Sequence, residues 1–408
     1  MSATSSAPTS TRRPQPAAVV PRMRGTVVAR VVLVAGVTLT ACTPPGAEPG
    51  PAPDARAVAI GVALHPARPG TVAVEQGAAL ALETLNADAR AQVRGVRFTL
   101  RRTPAAITGA VAAAERLRDD PAVIGVVGDA ESGRTLDALP VFEDVAGDGR
   151  RAVVAVTPTA TSPALVGRSP WLFRLSPDDG AASRAVAAYA DDSLGARRAA
   201  VVYRADSYGR DWAAAFARAF RARGGVVIAR DPYLDGVTHW PTYARYLAAL
   251  RPEVILFPGD AADAAAFLRG MRAAGAPPPF VGGDAVAPLA DSAAFAGVRF
   301  AVPFTPERAA APGAPAEARA FVARYRARYG ARPEVRAAMA YEATLLLGHA
   351  ALAIDLAAPD RRARVRSYLT ELGRTRPAMP GVVGPVAFDA QHGVAGRGVV
   401  VATIGTGR

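Results

Sequence analysis

The chain has no lysine, so all 48 of its basic residues are arginine, and asparagine is almost as scarce. Alanine is abundant instead. Such a bias is that of GC-rich codons, which gives the formal charge of +13 a plainer source than selection for nucleic acid. No arginine cluster is interleaved with aromatics, so no nucleic-acid partner is expected. A single cysteine, Cys42, rules out an internal disulfide and leaves the fold to be held by its core. The four histidines, His65, His239, His349 and His392, are not spaced as a metal pair, and no His-Glu-x-x-His occurs. A G-x-S-x-G elbow, a phosphate loop and a dinucleotide glycine fingerprint are all missing. Neither catalysis nor a cofactor is therefore expected.

Long apolar runs are scarce as well. Thr26 to Ala41 is apolar but for Arg30 and is too short for a membrane span. Arg12, Arg13, Arg22 and Arg24 precede it, and no acidic residue occurs before Cys42. Positive head, short apolar body and small residues at the end describe a secretory signal. Leu39-Thr40-Ala41-Cys42 resembles a bacterial lipobox, which implies that Cys42 is lipidated, becomes the new N-terminus and anchors the protein outside the cytoplasm. The plainer alternative is a buried structural cysteine. Met23 is a second candidate start, and Pro14-Gln15-Pro16 makes Arg12-Arg13 a poor twin-arginine signal. Cleavage before Cys42 removes five arginines, lowering the formal charge from +13 to +8, and leaves 367 of the 408 residues. That length suffices for two ordinary domains. Thr43 to Arg56, rich in proline, glycine and alanine, reads as a flexible linker.

From residue 57 onward, valine-rich runs alternate with helical patterns. Ala57–Leu64, Val96–Leu100, Ala122–Val127 and Ala152–Val156 read as strands, with helices at Val72–Leu85 and Ile107–Leu117 and another opening at Ser132. A second series begins near Pro177. Its strands are Ala199–Tyr203, Val226–Ala229, Val254–Pro258 and Phe280–Val281. Its helices are around Ala185–Tyr189, then Tyr208–Arg223, Thr242–Leu250 and Ala261–Ala274. Helices at 315–329, 334–357 and 361–373 follow, then strand-like Val382–Phe388 and Val399–Ile404. The fold expected is α/β: two doubly wound parallel-sheet lobes with a ligand cleft beyond the carboxyl ends of their strands.

Several stretches, in this order, resemble the type I periplasmic-binding-protein family and its leucine/branched-chain amino-acid branch. They are Ile60-Gly61-Val62 with Gly77-Ala78-Ala79 and Leu85-Asn86-Ala87; Val126-Val127-Gly128 with Ser132; Thr157-Pro158-Thr159-Ala160-Thr161-Ser162-Pro163; Tyr208-Gly209; Tyr329-Gly330 with Tyr341-Glu342-Ala343; and Gly384-Pro385-Val386-Ala387-Phe388-Asp389. The resemblance covers about 57–404. It implies one lobe from 57–176 plus 303–379, another from 177–302 plus 380–408, and a multi-strand hinge between them. It also implies a monomer that closes on a small ligand and presents it to the permease of an ABC importer.

The candidate site residues also make chemical sense on their own. An amino acid needs an acceptor for its carboxylate and another group for its ammonium. Ser132, at a strand end and helix start, offers a hydroxyl beside free backbone N–H groups, or serves only as a helix N-cap. Thr161-Ser162 offers the same, or ordinary turn chemistry. The resemblance implies that Thr161 binds the carboxylate beside Ser132, within the loop Thr159-Ala160-Thr161, and that the Thr159 carbonyl accepts from the ammonium. It implies too that Asp284 pairs with the ammonium and Tyr208 covers the ligand; their plainer roles are a turn aspartate and a staple on the next helix. Asp260 departs from the usual aromatic or small polar residue. If Asp129, Glu131, Asp260 and Asp284 all face the cleft, it is acidic and suits a basic amino acid or a polyamine. The alternative is that Asp129 and Glu131 point to solvent and pair with Arg134, and Arg68 hints at a second ligand carboxylate. Two other readings are a ligand-sensing module for a signalling partner and a surface lipoprotein with a degenerate cleft.

Overall fold

The computed structural model describes residues 57–65, 70–234, 236, 239–275 and 277–405. The signal, Cys42, the linker and Arg68 lie outside the described residues.

The first sheet comprises β1 (Ala57–Val62), β2 (Arg97–Arg102), β3 (Val123–Val127), β4 (Ala155–Thr157) and β5 (Leu172–Arg174). Its strands are all parallel, in the order β2-β1-β3-β4-β5. The second comprises β6 (Arg198–Arg204), β7 (Val226–Tyr233), β8 (Val254–Phe257), β9 (Phe280–Gly282), β10 (Arg299–Val302) and β11 (Val400–Thr403). Its order is β11-β10-β9-β8-β6-β7, with only β11 antiparallel. Helices α1 (Thr71–Asn86), α2 (Ala89–Val93), α3 (Ala110–Arg118) and α4 (Ser132–Phe142) fall in the first series. Helices α5 (Asp179–Asp192), α6 (Ser207–Ala222), α7 (Trp240–Ala249) and α8 (Ala261–Ala273) fall in the second. Then come α9 (Pro306–Ala310), α10 (Ala316–Tyr329), α11 (Val335–Leu352) and α12 (Arg361–Glu371).

β3 and β8 are buried along their whole length, as parallel strands covered on both faces must be. Helix α11 is apolar almost all round and buried accordingly, packed against α1 and the first sheet. The two helices meet closely at Gly77, where a Cβ would lie 2.1 Å from the Ala337 carbonyl oxygen. No larger residue fits there without moving backbone.

Three differences from the sequence reading have physical reasons. β5, a strand only three residues long, is too short to give a periodicity. Val382–Phe388 is not a strand. Gly381 and Gly384 turn the chain, leaving only the isolated bridges Met379–Val386, Val382–Gly384 and Phe388–Val394. The end of this stretch and the residues after it run beside the first sheet: Phe388 packs edge-on against Phe173, Arg174 bridges Gly393, and Phe173 stacks on His392 with centroids 4.3 Å apart. The second sheet regains the chain only at β11.

Candidate functional site

In each sheet the strand order reverses once, between β1 and β3 and between β6 and β8. Crevices open at the carboxyl ends of strands at such points. Here, loops leaving β3, β4, β6, β8 and β9 converge on one cavity of about 310 Å³. Ser132, Thr159, Tyr208, Asp260 and Asp284 line it. Ala160 and Thr161 sit behind its wall, 1% and 6% exposed. The lobes touch at one side, where the Ser162 hydroxyl donates to Asp211 on α6.

On the first lobe, Ser132 is the first residue of α4. Its Oγ accepts from the backbone N–H groups of Thr161 (3.3 Å) and Ser162 (3.2 Å). Thr157 Oγ1 donates to the Asp129 carbonyl (2.7 Å) and accepts from the Ala160 N–H (3.2 Å), and Thr159 Oγ1 donates to the Ala130 carbonyl (3.1 Å). Hydroxyls thus stitch the two loops into one shelf at the N-terminus of α4, an end of a helix that favours an anion. The Thr161 hydroxyl is buried beside the Asp179 carboxyl.

On the second lobe, Tyr208 donates through its hydroxyl to Asp284 Oδ1 (3.2 Å). Tyr208 is placed by Gly209, where a Cβ would lie 2.0 Å from the Arg204 carbonyl oxygen. Burial pushes the Asp284 carboxyl above the ordinary range, and the Arg336 guanidinium beside it pulls it back. Asp260 caps α8, accepting from the Asp263 N–H (3.0 Å), and pairs with Arg204 (3.3 Å). Its carboxylate therefore has structural partners already.

The cleft is not the acidic one that four carboxylates suggested. Asp129 is buried and bonded to Arg134 (2.5 Å), outside the cavity lining, so it neither faces a ligand nor points to solvent. Four arginines, Arg134, Arg204, Arg210 and Arg336, share the lining with five acids: Glu131, Asp137, Asp206, Asp260 and Asp284. The arginines set among those acids offset their charge.

Two functional candidates escaped the sequence reading. Asp179 is fully buried beside the Thr161 hydroxyl, and neither carboxylate oxygen makes a well-formed hydrogen bond. Burial, with Asp284 and Asp211 nearby, pushes its carboxyl well above the usual range. In Pro177-Asp178-Asp179-Gly180, Asp178 is the helix cap, accepting from the Ala181 N–H (2.8 Å). Only the first-turn geometry sends its neighbour inward. Arg336, on the first turn of α11, is the other.

Asp179 gives a prediction with a defined sign. Its raised pKa means that the folded state holds the proton where the unfolded chain has lost it, so its contribution falls as pH rises above about 4. Asp179→Asn removes that cost. The unliganded variant should be more stable at pH 7.5 by about 1–3 kcal/mol, a gain that vanishes near pH 4. Urea denaturation at both pH values checks this. A destabilised variant at pH 7.5 would mean that the carboxylate has a native partner.

Among the described residues, no cluster of His, Cys, Asp and Glu is arranged to hold a metal ion, and no helix is long and apolar enough to cross a membrane.

The profile of the family described as periplasmic binding protein matches residues 66–408. The branched-chain amino acid transporter substrate-binding protein LivJ of Streptococcus pneumoniae, solved with isoleucine, is 21% identical. That match covers 86% of this chain and 97% of LivJ, with a TM-score of 0.72. An ABC transporter substrate-binding protein of Desulfitobacterium hafniense, complexed with Leu, is 25% identical over 86% of this chain and 98% of its own, with a TM-score of 0.69. A solute-binding protein of R. palustris, in complex with benzoate, is 17% identical over 85% and 93%, with a TM-score of 0.73. These likenesses give the fold, two α/β lobes of the type I arrangement. No functionally curated protein matches the chain in sequence.

Proposed function

The chain belongs to the periplasmic-binding-protein family, and from that premise we infer that it is an extracytoplasmic receptor that closes on an amino acid and delivers it to an ABC importer. One observation carries this reading. Hydroxyls and backbone amides around Ser132 and Thr161 stand on one lobe, and carboxylates with a tyrosine hydroxyl, at Asp284 and Tyr208, stand with the other sheet. The first set suits a carboxylate, the second an ammonium. Asp179, buried behind the wall near Asp284, adds to the negative field that favours an ammonium there. A ligand held from both sides binds the closed form better than the open one, and that difference in affinity drives closure. The family consists of solute-binding proteins, consistent with the lack of catalytic motifs.

Calorimetric titration of the purified full-length protein with each of the twenty amino acids tests this reading. It predicts saturable 1:1 binding of at least one. Heats indistinguishable from dilution throughout the panel would refute it.

Cys42 is proposed as the anchor. Attachment through a lipidated Cys42 predicts that Cys42→Ser moves the protein from the membrane fraction to the soluble one and abolishes labelling by radioactive fatty acid. Unchanged fractionation with no label in the parent chain would leave the lone cysteine without this role.

A further inference from the structure

The arginines of the cavity wall do not share one fate. Arg134 bonds to Asp129 and the Thr108 carbonyl, with only its Nη2 left buried and unpaired, Arg204 bonds to Asp206 and Asp260, and Arg210 to the Ala205 carbonyl. Arg336 lines the same cavity, and its Nη1 is buried with no hydrogen-bond partner. A buried donor left unpaired is costly, and more so when it carries charge. Its side chain is also held in place. It lies against Gly70, where a Cβ would stand 2.5 Å from Arg336 Cδ and 2.6 Å from Nη1, and Gly70 is left-handed (φ 83°).

The remaining wall points the same way. Among the described residues no leucine, isoleucine, valine, methionine or phenylalanine lines the cavity, and its apolar surface comes from Ala130, Ala285 and Tyr208 beside glycines. An aliphatic side chain gains its binding energy from apolar walls, about 25 cal/mol per Å² buried, and here it would meet mostly charged groups. Asp284 is the carboxylate of the cavity wall that offsets Arg336 electrostatically, with Glu334 on its far side. Once a ligand ammonium takes Asp284, the guanidinium is left facing a second positive charge.

Resting on the amino-acid reading above, we propose that the ligand is an amino acid with a second anionic group, a short acidic side chain, and that Arg336 receives it. Arg336 is then the residue that sets specificity. A guanidinium presents its donors in a planar fork that matches a carboxylate in two parallel hydrogen bonds. An amide of the same shape supplies one acceptor and no charge, and leaves the fork half satisfied.

The test titrates the full-length protein with L-glutamate, L-aspartate, L-glutamine, L-asparagine and L-leucine, and repeats the series with Arg336→Gln. The expected result is that one acidic amino acid binds at least tenfold tighter than its amide and than leucine, and that Arg336→Gln erases this preference. The melting temperature of the unliganded variant, expected to hold, separates loss of recognition from loss of fold. If glutamine, asparagine or leucine binds as tightly as the acids, the specificity proposal falls while the receptor reading stands. If Arg336→Gln keeps the acidic preference and its fold, Arg336 is not the determinant. If none of the five binds either protein, this proposal is wrong whatever the rest of the amino-acid panel shows.

Discussion

Asp284→Asn is expected to weaken binding of an amine-bearing ligand by roughly 30-fold to several-thousand-fold, the equivalent of about 2–5 kcal/mol. Asp284 combines three properties that make its charge matter: it follows a buried strand, it accepts from Tyr208, and it opens onto the cavity. Asparagine keeps the shape and removes the charge, so an ammonium would be desolvated without compensation. The same substitution should not harm the fold. Burial raises the Asp284 carboxyl, so its ionised form already costs the folded state at neutral pH, a cost absent below the ordinary carboxylate range. Titration of variant and parent, with denaturation of both unliganded proteins, checks the two halves. Equal affinities would remove Asp284 from the site.

Glu342→Ala is expected to cost about 3–5 kcal/mol of stability, and Arg397→Ala a similar amount. Glu342 lies mid-way along α11 with a side chain 1% exposed, and Arg397 Nη1 meets it at 2.5 Å from a side chain 2% exposed. Glu342 Oε2 also accepts from the Val382 N–H (2.7 Å), and Arg397 Nη2 donates to the Gly384 carbonyl (2.8 Å). The pair thus fastens the turns at 381–384, which have no strand of their own, to the central helix. Removing one partner strands a buried charge, whereas removing both does not. The double variant Glu342→Met/Arg397→Met should therefore be more stable than either alanine variant. Denaturant midpoints of the three decide it, and additive losses would show that the charges act independently.

These two sites illustrate what the sequence did and did not disclose. The alternation of β3 and α4 was legible because Val-Ile-Gly-Val-Val is too apolar for anything but a covered strand, and Ser132 then opens a helix. Asp284 was legible from its place after Phe280-Val281-Gly282, since ligands gather at carboxyl ends of strands. Asp179 and Arg336 were not. Each lies in the first turn of a helix with a second charged residue, Asp178 or Glu334, one or two positions before it, and a rotation of about 100° per residue separates a solvated group from a buried one. Sequence spacing does not fix that rotation; packing does. Asp129 was misjudged for a related reason. Its partner Arg134 was named correctly, but the pair closes beneath the loop rather than over solvent. The turns at 381–384 misled because their valines suggested a strand, while the two glycines break it.

The central claim is that ligand sits between the lobes and draws them together. The most direct test is the distance between spin labels on Val93→Cys and Tyr246→Cys in a Cys42→Ser background, both positions being exposed and on opposite lobes. It is measured with and without an equimolar mixture of the twenty amino acids. The account predicts a broad distribution without ligand that collapses to a shorter, narrower one with it. A distribution unchanged at saturating concentration would contradict it.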